Sequence, residues 1–600
     1  MKSEIVEFVK NLSESVFIDN LKLNEGLYVF IDLDNEGNLL SFEKAVFGKD
    51  GQMDEFFKVC LNIQSNIEPV SPAKIFNPNK KIFNASCSPF ALCFKKKVLE
   101  ENITKGTDIQ KEIEQYFKGA LPYIKTTIHS EWYNLFKKYC LSSVISQIKE
   151  TEEYKSLKAD KSVNLYLKSP KIEDFKVIYD EYVAKSIFNK DDYNETVDEI
   201  VYGIADSLST FNDKKQFLKH KTAPFEFNLR LNSEEAKKVW QFFQLRQNVF
   251  PNPLPIFIDK KELNGKVISF YKEDSKIKYS QIINNIFTNT EHKYDSKNYY
   301  LIFFLKGEIA DLDFISNIDF QLDDMKIYNL FELRKEPPVT EIKSVFDFED
   351  TIANVIFNRQ LITATKAGGV WTKYFGDIEF NPKYMTDNTY NQILKYRKAF
   401  FDYVYKFKKQ AIQSFIFYDI MEKGILDDLR NDEYKDRNHS KEYPIREKLN
   451  IWFSLFNYFQ NDKTENKIDM INKTELLKKR IYEIAKGEGD KPFIDSDDEF
   501  AFAAGQVIYK LLLQSESSNR SYAMLEPFLQ KSDVNLFKEA IARTFEMYKH
   551  KFDIYPNKYE FDRVFSQVIG CSTDINIKSL LPLILAGCFS DSVFKKTLKS

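Results

Sequence analysis

The chain has 600 residues, with 86 Lys and Arg against 89 Asp and Glu, so its formal net charge at pH 7 is −3. A chain of this length exceeds what one hydrophobic core usually supports, and we expect at least two domains. The near-neutral charge excludes a general attraction to nucleic acids or anionic membranes, so any such binding has to come from local basic patches.

The sequence shows no targeting signal and no membrane segment. Residues 1–10 mix charges and no apolar segment follows them, unlike a secretory signal. No apolar run reaches the length of a transmembrane helix. We therefore expect a cytoplasmic protein without membrane contact.

The first clear element is a β-hairpin. The apolar run at residues 27–33 has strand composition, residues 34–37 are typical of a turn, and a return strand follows. The turn also fits part of an EF-hand calcium loop, whose positions 1, 3, 5, 6 and 12 correspond to Asp32, Asp34, Glu36, Gly37 and Glu43. An EF-hand needs a helix entering the loop, and the strand-like entry here favours the hairpin.

Residues 69–99 are rich in lysine and contain no acid. The lysines are Lys74, Lys80, Lys81, Lys95, Lys96 and Lys97, interleaved with phenylalanines and with asparagines such as Asn84. Lysines neutralise phosphates, and asparagine amides can contact bases or sugar-phosphate oxygens. The alternative is a pair of strands with core phenylalanines and merely solvated lysines.

Residues 100–350 mix helical and strand-like patterns. Helical periodicity at 109–117, 130–148 and 233–243 alternates with strand-like runs at 225–231, 266–271 and 299–304. The order lacks the regular strand-helix-strand repeat of a doubly wound sheet. We therefore expect an α+β N-terminal region.

A second acid-free interval covers residues 351–376. It holds Arg359, Lys366 and Lys373, with Gly368 and Gly369 permitting tight turns. Trp371 and Tyr374 could stack on nucleic-acid bases. A plain surface loop is the alternative.

A long helix is predicted from residue 388 to about residue 424. At helical spacing Lys395, Lys398, Lys406 and Lys409 share one face, on which Asp402 is the sole acid. Such a stripe could follow a phosphate backbone, although an ordinary solvated face has the same pattern.

The C-terminal segment, residues 496–591, predicts four amphipathic helices. Ser496 and Glu499 form a capping box before the first, and a helical apolar pattern follows. Three more helices are predicted around residues 534–548, 561–568 and 580–587, with the last ending at Gly587. Such helices joined by short turns form a bundle.

The same segment resembles a known family. The runs AAGQVIYKLLLQSESSNRSYAMLEPFLQKS, FEMYKHKFDI and LPLILAGCFSDSVF resemble the C-terminal signature of the large subunit of type I-B CRISPR Cascade complexes. The likeness covers roughly the last hundred residues, and residues 79–99 are similar to the family's lysine-bearing segment.

We expect an α+β domain over residues 1–385, and the resemblance implies that this domain reads the motif flanking the target and helps to unwind the duplex. We expect a helical-bundle domain over residues 386–600, and the resemblance implies that it is similar to a Cascade small subunit and stabilises the R-loop. No catalytic residue, cofactor or metal is expected. The implied partners are a guide crRNA, target double-stranded DNA, the Cascade backbone, guide-end and small subunits, and a separate helicase-nuclease.

The nucleic-acid contacts are then expected in two groups. Those assigned to the flanking duplex are Lys80, Lys81, Asn84, Lys95, Lys96 and Lys97. Those assigned to single strand or to the junction are Lys366, Lys373, Lys395, Lys398, Lys406 and Lys409. In this subtype an internal start often yields a free small subunit, and Met470 is the favoured start.

Several motifs of enzymes are missing from the sequence. None of the five histidines is followed by Asp, and no H-E-x-x-H or G-x-S-x-G motif occurs. Gly368 and Gly369 precede Val-Trp rather than Asp-Asp, and the six cysteines form no CxxC pair. A non-enzymatic role is favoured. The alternatives are a nuclease with a dispersed carboxylate site and a scaffold that does not touch nucleic acid.

Overall fold

A computed structural model gives the fold. It describes residues 2–12, 16–17, 21–49, 51–78, 82–189, 194–208, 230–245, 250–274, 277–288, 297–333, 336–364, 370–433, 440–459, 469–489, 492–517, 521–552 and 558–594. The chain divides into two compact units, Met1–Leu312 and Asp313–Ser600. This division lies earlier in the chain than the predicted boundary at residues 385 and 386. None of the described helices combines the length and the apolar character needed to cross a membrane.

The first unit is built on a four-stranded mixed sheet. Its strands are β1 (Gly26–Leu33), β2 (Leu39–Phe47), β3 (Ala91–Lys95) and β4 (Ser162–Leu167), in the spatial order β2-β1-β4-β3. β1 is antiparallel to β2 and parallel to β4, and β3 is antiparallel to β4. The apolar strand β1 is buried almost throughout, whereas β2 is an exposed edge.

Helices add their apolar faces to the core of this sheet. They are α2 (Glu55–Gln64), α3 (Lys96–Thr104), α4 (Ile109–Ala120), α5 (Thr127–Ser142), α6 (Val144–Glu150), α7 (Glu152–Ser156) and α8 (Ile172–Ser186). A separate helix, α1 (Lys2–Lys10), packs through Phe8 against Phe242.

The predicted hairpin is confirmed. The Asp34 Oδ1 accepts hydrogen bonds from the backbone N–H groups of Glu36, at 2.9 Å, and Asn38, at 2.8 Å. Gly37 has a φ of +85°, which glycine adopts without strain. A strand, and not the helix of an EF-hand, enters this turn.

The rest of the first unit contains short strands and three longer helices. The strands are β5 (Glu195–Val197), β6 (Ile200–Gly203), β7 (Leu231–Asn232), β8 (Leu254–Phe257), β9 (Tyr299–Leu305) and β10 (Glu308–Ile315), the last of which begins before the boundary at Leu312 and ends after it. The helices are α9 (Ser233–Leu245), α10 (Lys261–Glu273) and α11 (Tyr279–Thr288). The strand predicted at residues 266–271 is wrong, because these residues belong to α10. The Asn264 side chain of α10 links this helix to β8. It donates a hydrogen bond to the Phe257 backbone oxygen at 2.9 Å and accepts one from the Phe257 backbone N–H at 2.8 Å.

The second unit is mostly helical. Its strands are β11 (Lys326–Tyr328), β12 (Val339–Glu341), β13 (Ile362–Ala364) and β14 (Val370–Thr372). A helical segment consists of α12 (Val345–Phe348), a π-helical turn (Glu349–Ala353) and α13 (Asn354–Ile356). The following helices are α14 (Asp387–Tyr405), α15 (Ser414–Arg430), α16 (Glu442–Ser454), α17 (Met470–Lys486), α18 (Asp497–Leu512), α19 (Glu526–Leu529), α20 (Val534–Phe552), α21 (Lys558–Gly570) and α22 (Leu581–Phe589). The predicted fold class, α+β followed by helices, is confirmed.

The single helix predicted over residues 388–424 is wrong. α14 ends at Tyr405 and α15 begins at Ser414, and a short 3₁₀ turn lies between them. Phe407 has a left-handed φ of +55° and is buried with its ring 6.2 Å from that of Phe346. The Phe407 side chain is therefore buried at the point where the chain leaves α14. The helical periodicity of the sequence continues across this break, so it predicted one helix where there are two.

The four C-terminal helices are confirmed as α18, α20, α21 and α22. The Ser496 hydroxyl accepts a hydrogen bond from the Glu499 backbone N–H at 3.2 Å, as expected for a helix cap. The prediction that the last helix ends at Gly587 is wrong, because α22 continues to Phe589. A Cβ at Gly587 would overlap the Phe502 carbonyl oxygen, so this glycine permits the close crossing of α22 and α18.

Candidate nucleic-acid interface

Strand β3 and the start of α3 carry the first lysine group. Lys80 and Lys81 lie outside the described residues, and Asn84 is half-buried. Phe83 and Phe94 are buried against each other, with ring centroids 5.8 Å apart. The phenylalanines are thus core residues, and only polar side chains of this segment remain to meet a ligand.

Lys96 is a structural residue, and its assignment to a nucleic-acid contact is wrong. It is buried, and its Nζ donates hydrogen bonds to the carbonyl oxygens of Tyr154 at 2.7 Å, Leu157 at 2.9 Å and Lys155 at 3.3 Å. These oxygens belong to the last turn of α7 and the residue after it, where helix carbonyls lack intrahelical partners. The ammonium group donates hydrogen bonds to these oxygens, and its positive charge interacts favourably with the negative end of the helix dipole.

Lys95 and Lys97 are exposed on either side of Lys96. Lys95 makes no side-chain hydrogen bond or ion pair with any described residue. Lys97 lies 3.8 Å from the Glu101 carboxylate, and both side chains are largely exposed, so this pair is weak. Both lysines are therefore available to an anionic ligand.

The pairing of β3 with β4 adds a lysine that the sequence reasoning missed. The Lys97 backbone N–H donates to the Ala159 oxygen at 2.8 Å, which places exposed Lys158 on the adjoining loop. We name Lys95, Lys97 and Lys158 the β3–β4 patch. Lys161 on the same loop is paired with Glu25 at 2.9 Å and Asp160 at 3.2 Å. Only the strand pairing could have revealed Lys158, since it is distant in sequence.

The hairpin of β13 and β14 carries part of the second group. Lys366 lies outside the described residues, Lys373 is half-buried and Trp371 is 39% exposed. The Trp371 indole therefore presents a surface on which a base could stack. Tyr374 is buried, and its hydroxyl donates to Glu349 Oε1 at 2.7 Å, so the prediction that it stacks on a base is wrong.

Glu349 lies buried in the π-helical turn beneath this hairpin. Burial raises the pKa of its carboxyl to about 7, with hydrogen bonds from Tyr374, Thr372 and Tyr405 acting in the opposite direction. The Tyr405 hydroxyl is 3.4 Å from Glu349 Oε2. These contacts tie the hairpin, the turn and α14 together.

The lysine stripe predicted on one long helix does not exist as such, because the helix is divided. Lys395 and Lys398 are exposed on α14, whereas Lys409 lies on the 3₁₀ turn and pairs with Asp319 at 2.6 Å. Lys406 is buried between Asp402, at 3.0 Å, and Asp313, at 3.2 Å. Its assignment as a nucleic-acid contact is wrong, since this buried ion network already neutralises it.

The hairpin and α14 meet through aromatic packing. The Phe375 ring lies edge-on to Phe401 with centroids 4.7 Å apart, and the Lys398 Nζ is 5.6 Å from the Phe375 ring centre. This contact fixes the strand end that carries Lys373 against the helix that carries Lys398. We name Trp371, Lys373, Lys395 and Lys398 the α14 patch.

The carboxylates near the α14 patch bind its lysines only loosely. Lys395 lies 3.5 Å from Asp419, and Lys398 lies 3.1 Å from Asp402. Both lysine side chains remain more than half exposed, so solvent screens the pairs and phosphates can compete for the ammonium groups. The patch combines cations with an aromatic surface, as single-strand binding sites do.

No group of three or more His, Cys, Asp or Glu side chains within the described ranges is placed to hold a metal ion. A scan against protein-family models found no match, and a search of curated proteins found no significant relative.

Proposed function

We propose that the chain is the non-catalytic large subunit of a type I-B CRISPR Cascade complex. In this role it recognises the flanking motif in double-stranded DNA, helps to unwind the duplex and stabilises the R-loop. A separate helicase-nuclease is then recruited to cut. Guide pairing reads most of the sequence in such effectors, so the protein needs local contacts rather than a large net charge.

The β3–β4 patch is the observation that carries this proposal. Two of its lysines, Lys95 and Lys97, belong to the segment that resembles the family's lysine-bearing segment, and all three of its cations are exposed on a chain of net charge −3. Buried phenylalanines and Lys96 anchor the same segment to the core. The exposed cations are therefore presented from a rigid element, which suits recognition of a duplex backbone.

The α14 patch supports a second contact, with single-stranded DNA. Lys395 and Lys398 can neutralise phosphates, and Trp371 can stack on a base. The proposed partners are the guide crRNA, the target duplex, the backbone, guide-end and small subunits, and the helicase-nuclease. The proposed location is the cytoplasm.

Affinity purification tests the proposal. The full chain carries a tag and is expressed from its native locus, and short RNA in the eluate is sequenced. We expect one class of short RNA that shares repeat-derived ends, together with several other subunits in fixed proportion. An eluate without such RNA would contradict the proposal. Cleavage of DNA by the purified chain with Mg²⁺ or Mn²⁺ would contradict it in favour of a nuclease.

A further inference from the structure

A groove of about 570 Å³ lies beside the α14 patch, lined by residues from α14, α15, α16 and the turn after α16. Its lining includes Lys395, Phe415, Tyr418, Glu422, Trp452 and Phe456. The volume is within the range of small-molecule binding sites. We name this feature the α15 groove.

The aromatic walls of the α15 groove combine a fixed part and an exposed part. The Tyr418 ring meets Trp452 edge-on at a centroid distance of 5.2 Å, and Trp452 is fully buried. Phe456 lies 6.4 Å from Tyr418 in a similar arrangement. Phe415 is 61% exposed at the first turn of α15, so its ring is available to stack on a ligand.

Two carboxylates line the α15 groove and differ in their hydrogen bonds. Asp419 accepts from the Tyr396 hydroxyl at 2.7 Å, and its other oxygen pairs with Lys423 at 2.6 Å. Glu422 is half-buried and accepts no hydrogen bond from any described residue. Desolvation raises the pKa of Glu422 and the neighbouring Asp419 carboxylate raises it further, whereas the charges of Lys423 and Lys578 act in the opposite direction. The Glu422 carboxylate is therefore a hydrogen-bond acceptor whose partner has to come from a ligand or from water.

We propose that the α15 groove receives one unstacked nucleobase of a single strand, stacked on Phe415, with its amino group donating to Glu422 and its phosphate at Lys395. A nucleotide offers an aromatic base, an anionic phosphate and a hydrogen-bond donor. In the groove these are complemented by Phe415, Lys395 and Glu422, respectively. The exposed Lys395 side chain lines the groove and also belongs to the α14 patch.

The acceptor on Glu422 sets a base preference. Adenine, cytosine and guanine carry an exocyclic amino donor, whereas thymine and uracil carry none and have a carbonyl oxygen at the position of the cytosine amino group. If the Glu422 carboxylate faces a carbonyl oxygen of the base, two hydrogen-bond acceptors meet and neither receives a hydrogen bond, which is unfavourable. We expect cytidine strands to bind more tightly than thymidine strands of equal length.

The inference rests on the proposed function, and fluorescence anisotropy with the full chain tests it. The probes are labelled single strands of deoxycytidine and of deoxythymidine at fixed salt. Phe415→Ala should weaken the binding of the deoxycytidine strand roughly tenfold, through loss of one stacking contact. Phe493→Ala is the matched control, because Phe493 is 64% exposed in the same unit and lies outside the groove. Glu422→Met should abolish the preference for deoxycytidine.

The possible outcomes distinguish a failure of the groove inference from a failure of the proposed function. If the wild-type chain binds single strands and Phe415→Ala behaves like Phe493→Ala, the groove inference is overturned and the proposed function stands. If the wild-type chain binds neither strand, the groove inference and the proposed single-strand contact of the α14 patch are both overturned, and the duplex contact of the β3–β4 patch is left to its own test. If Phe415→Ala changes only co-purification with protein subunits, the groove is a protein contact and the inference is again overturned.

Discussion

The Lys96 side chain is bonded to three main-chain oxygens, and we predict that it acts on stability and not on ligand binding. Lys96→Met should lower the free energy of unfolding by about 2–3 kcal/mol, because it leaves buried carbonyls at the end of α7 without donors. Lys97→Met, one residue away and exposed, should change it by less than about 0.5 kcal/mol. Urea denaturation of the two variants checks this. Equal stabilities would show that the Lys96 bonds contribute nothing.

The Glu349 carboxyl gives the fold a dependence on pH. Burial raises the pKa of Glu349 from its ordinary value of 4.5 to about 7 in the folded chain. Between pH 4.5 and pH 7 the folded state therefore keeps a proton that the unfolded state has released. The free energy of unfolding should therefore fall as pH rises from 4.5 to 7, by on the order of 3 kcal/mol. Glu349→Gln cannot ionise and keeps an oxygen for Tyr374. Relative to wild type, this variant should gain stability as pH rises from 5 to 8.

The difference in unfolding free energy between Glu349→Gln and wild type, measured against pH, checks this prediction. Glu55→Gln is the control, because it makes the same change at a highly exposed acid. A Glu349→Gln profile parallel to that of wild type would contradict a protonated, buried Glu349.

The lysine-dense interval at residues 69–99 shows what the sequence could predict at the level of single residues. The absence of acids correctly located exposed cations at Lys95 and Lys97. It could not single out Lys96, whose burial depends on carbonyls at residues 154–157. In the same way, the lysine spacing at residues 395–409 could not show that Lys406 is buried, because its acidic partner Asp313 is distant in sequence. Both depend on tertiary contacts that no local pattern encodes.

At the level of elements, two glycines set the distance between α18 and α22. A Cβ at Gly505 would overlap the Ile584 carbonyl oxygen, and a Cβ at Gly587 would overlap that of Phe502. Gly587→Ala should therefore separate the helices and lower the free energy of unfolding by about 3 kcal/mol or more, the range of severe overpacking. Gly570→Ala is the matched control, because a Cβ at the end of α21 meets no atom within 4 Å. It should be neutral or slightly stabilising.

Thermal unfolding of the two glycine variants distinguishes these outcomes. We expect a clear decrease in Tm for Gly587→Ala and none for Gly570→Ala. Equal Tm values would mean that the helix crossing tolerates a methyl group and is not set by its glycines.

Helix existence was more predictable from the sequence than helix ends. The C-terminal helices were located because their apolar residues recur at helical spacing and Ser496 caps the first of them. The division between α14 and α15 was missed because Phe407 keeps the helical period while adopting a left-handed backbone. The sequence predicts a helix end at Gly587, but the glycine is needed there because a side chain would overlap the neighbouring helix α18.

For the whole molecule, the start of α17 bears on the expected internal start. Met470 is the first residue of α17, and the Asp469 carboxylate before it accepts hydrogen bonds from the N–H groups of Ile471 and Asn472. A product beginning at Met470 would retain every helix from α17 to α22. We predict that Met470→Leu abolishes a short C-terminal product in cells, detected with a C-terminal tag. Persistence of that product would exclude this start.

Comparing the binding of duplex and single-stranded targets tests whether the exposed lysines of the β3–β4 patch bind target DNA. The guide complex is purified with the wild-type chain or with Lys95, Lys97 and Lys158 changed together to Glu. The control carries the same change at exposed Lys10, Lys58 and Lys111 of the same unit. Affinities are measured for a target duplex with its flanking motif and for the complementary single strand, over a range of salt.

Reversing the charge of the three lysines of the β3–β4 patch should weaken duplex binding at least about tenfold and lower its salt dependence by about 2–3 counterions. Binding to the complementary single strand, which depends on guide pairing, should stay within about twofold of wild type. Duplex affinity equal to that of the control variant would contradict the claim that these exposed lysines bind the target DNA.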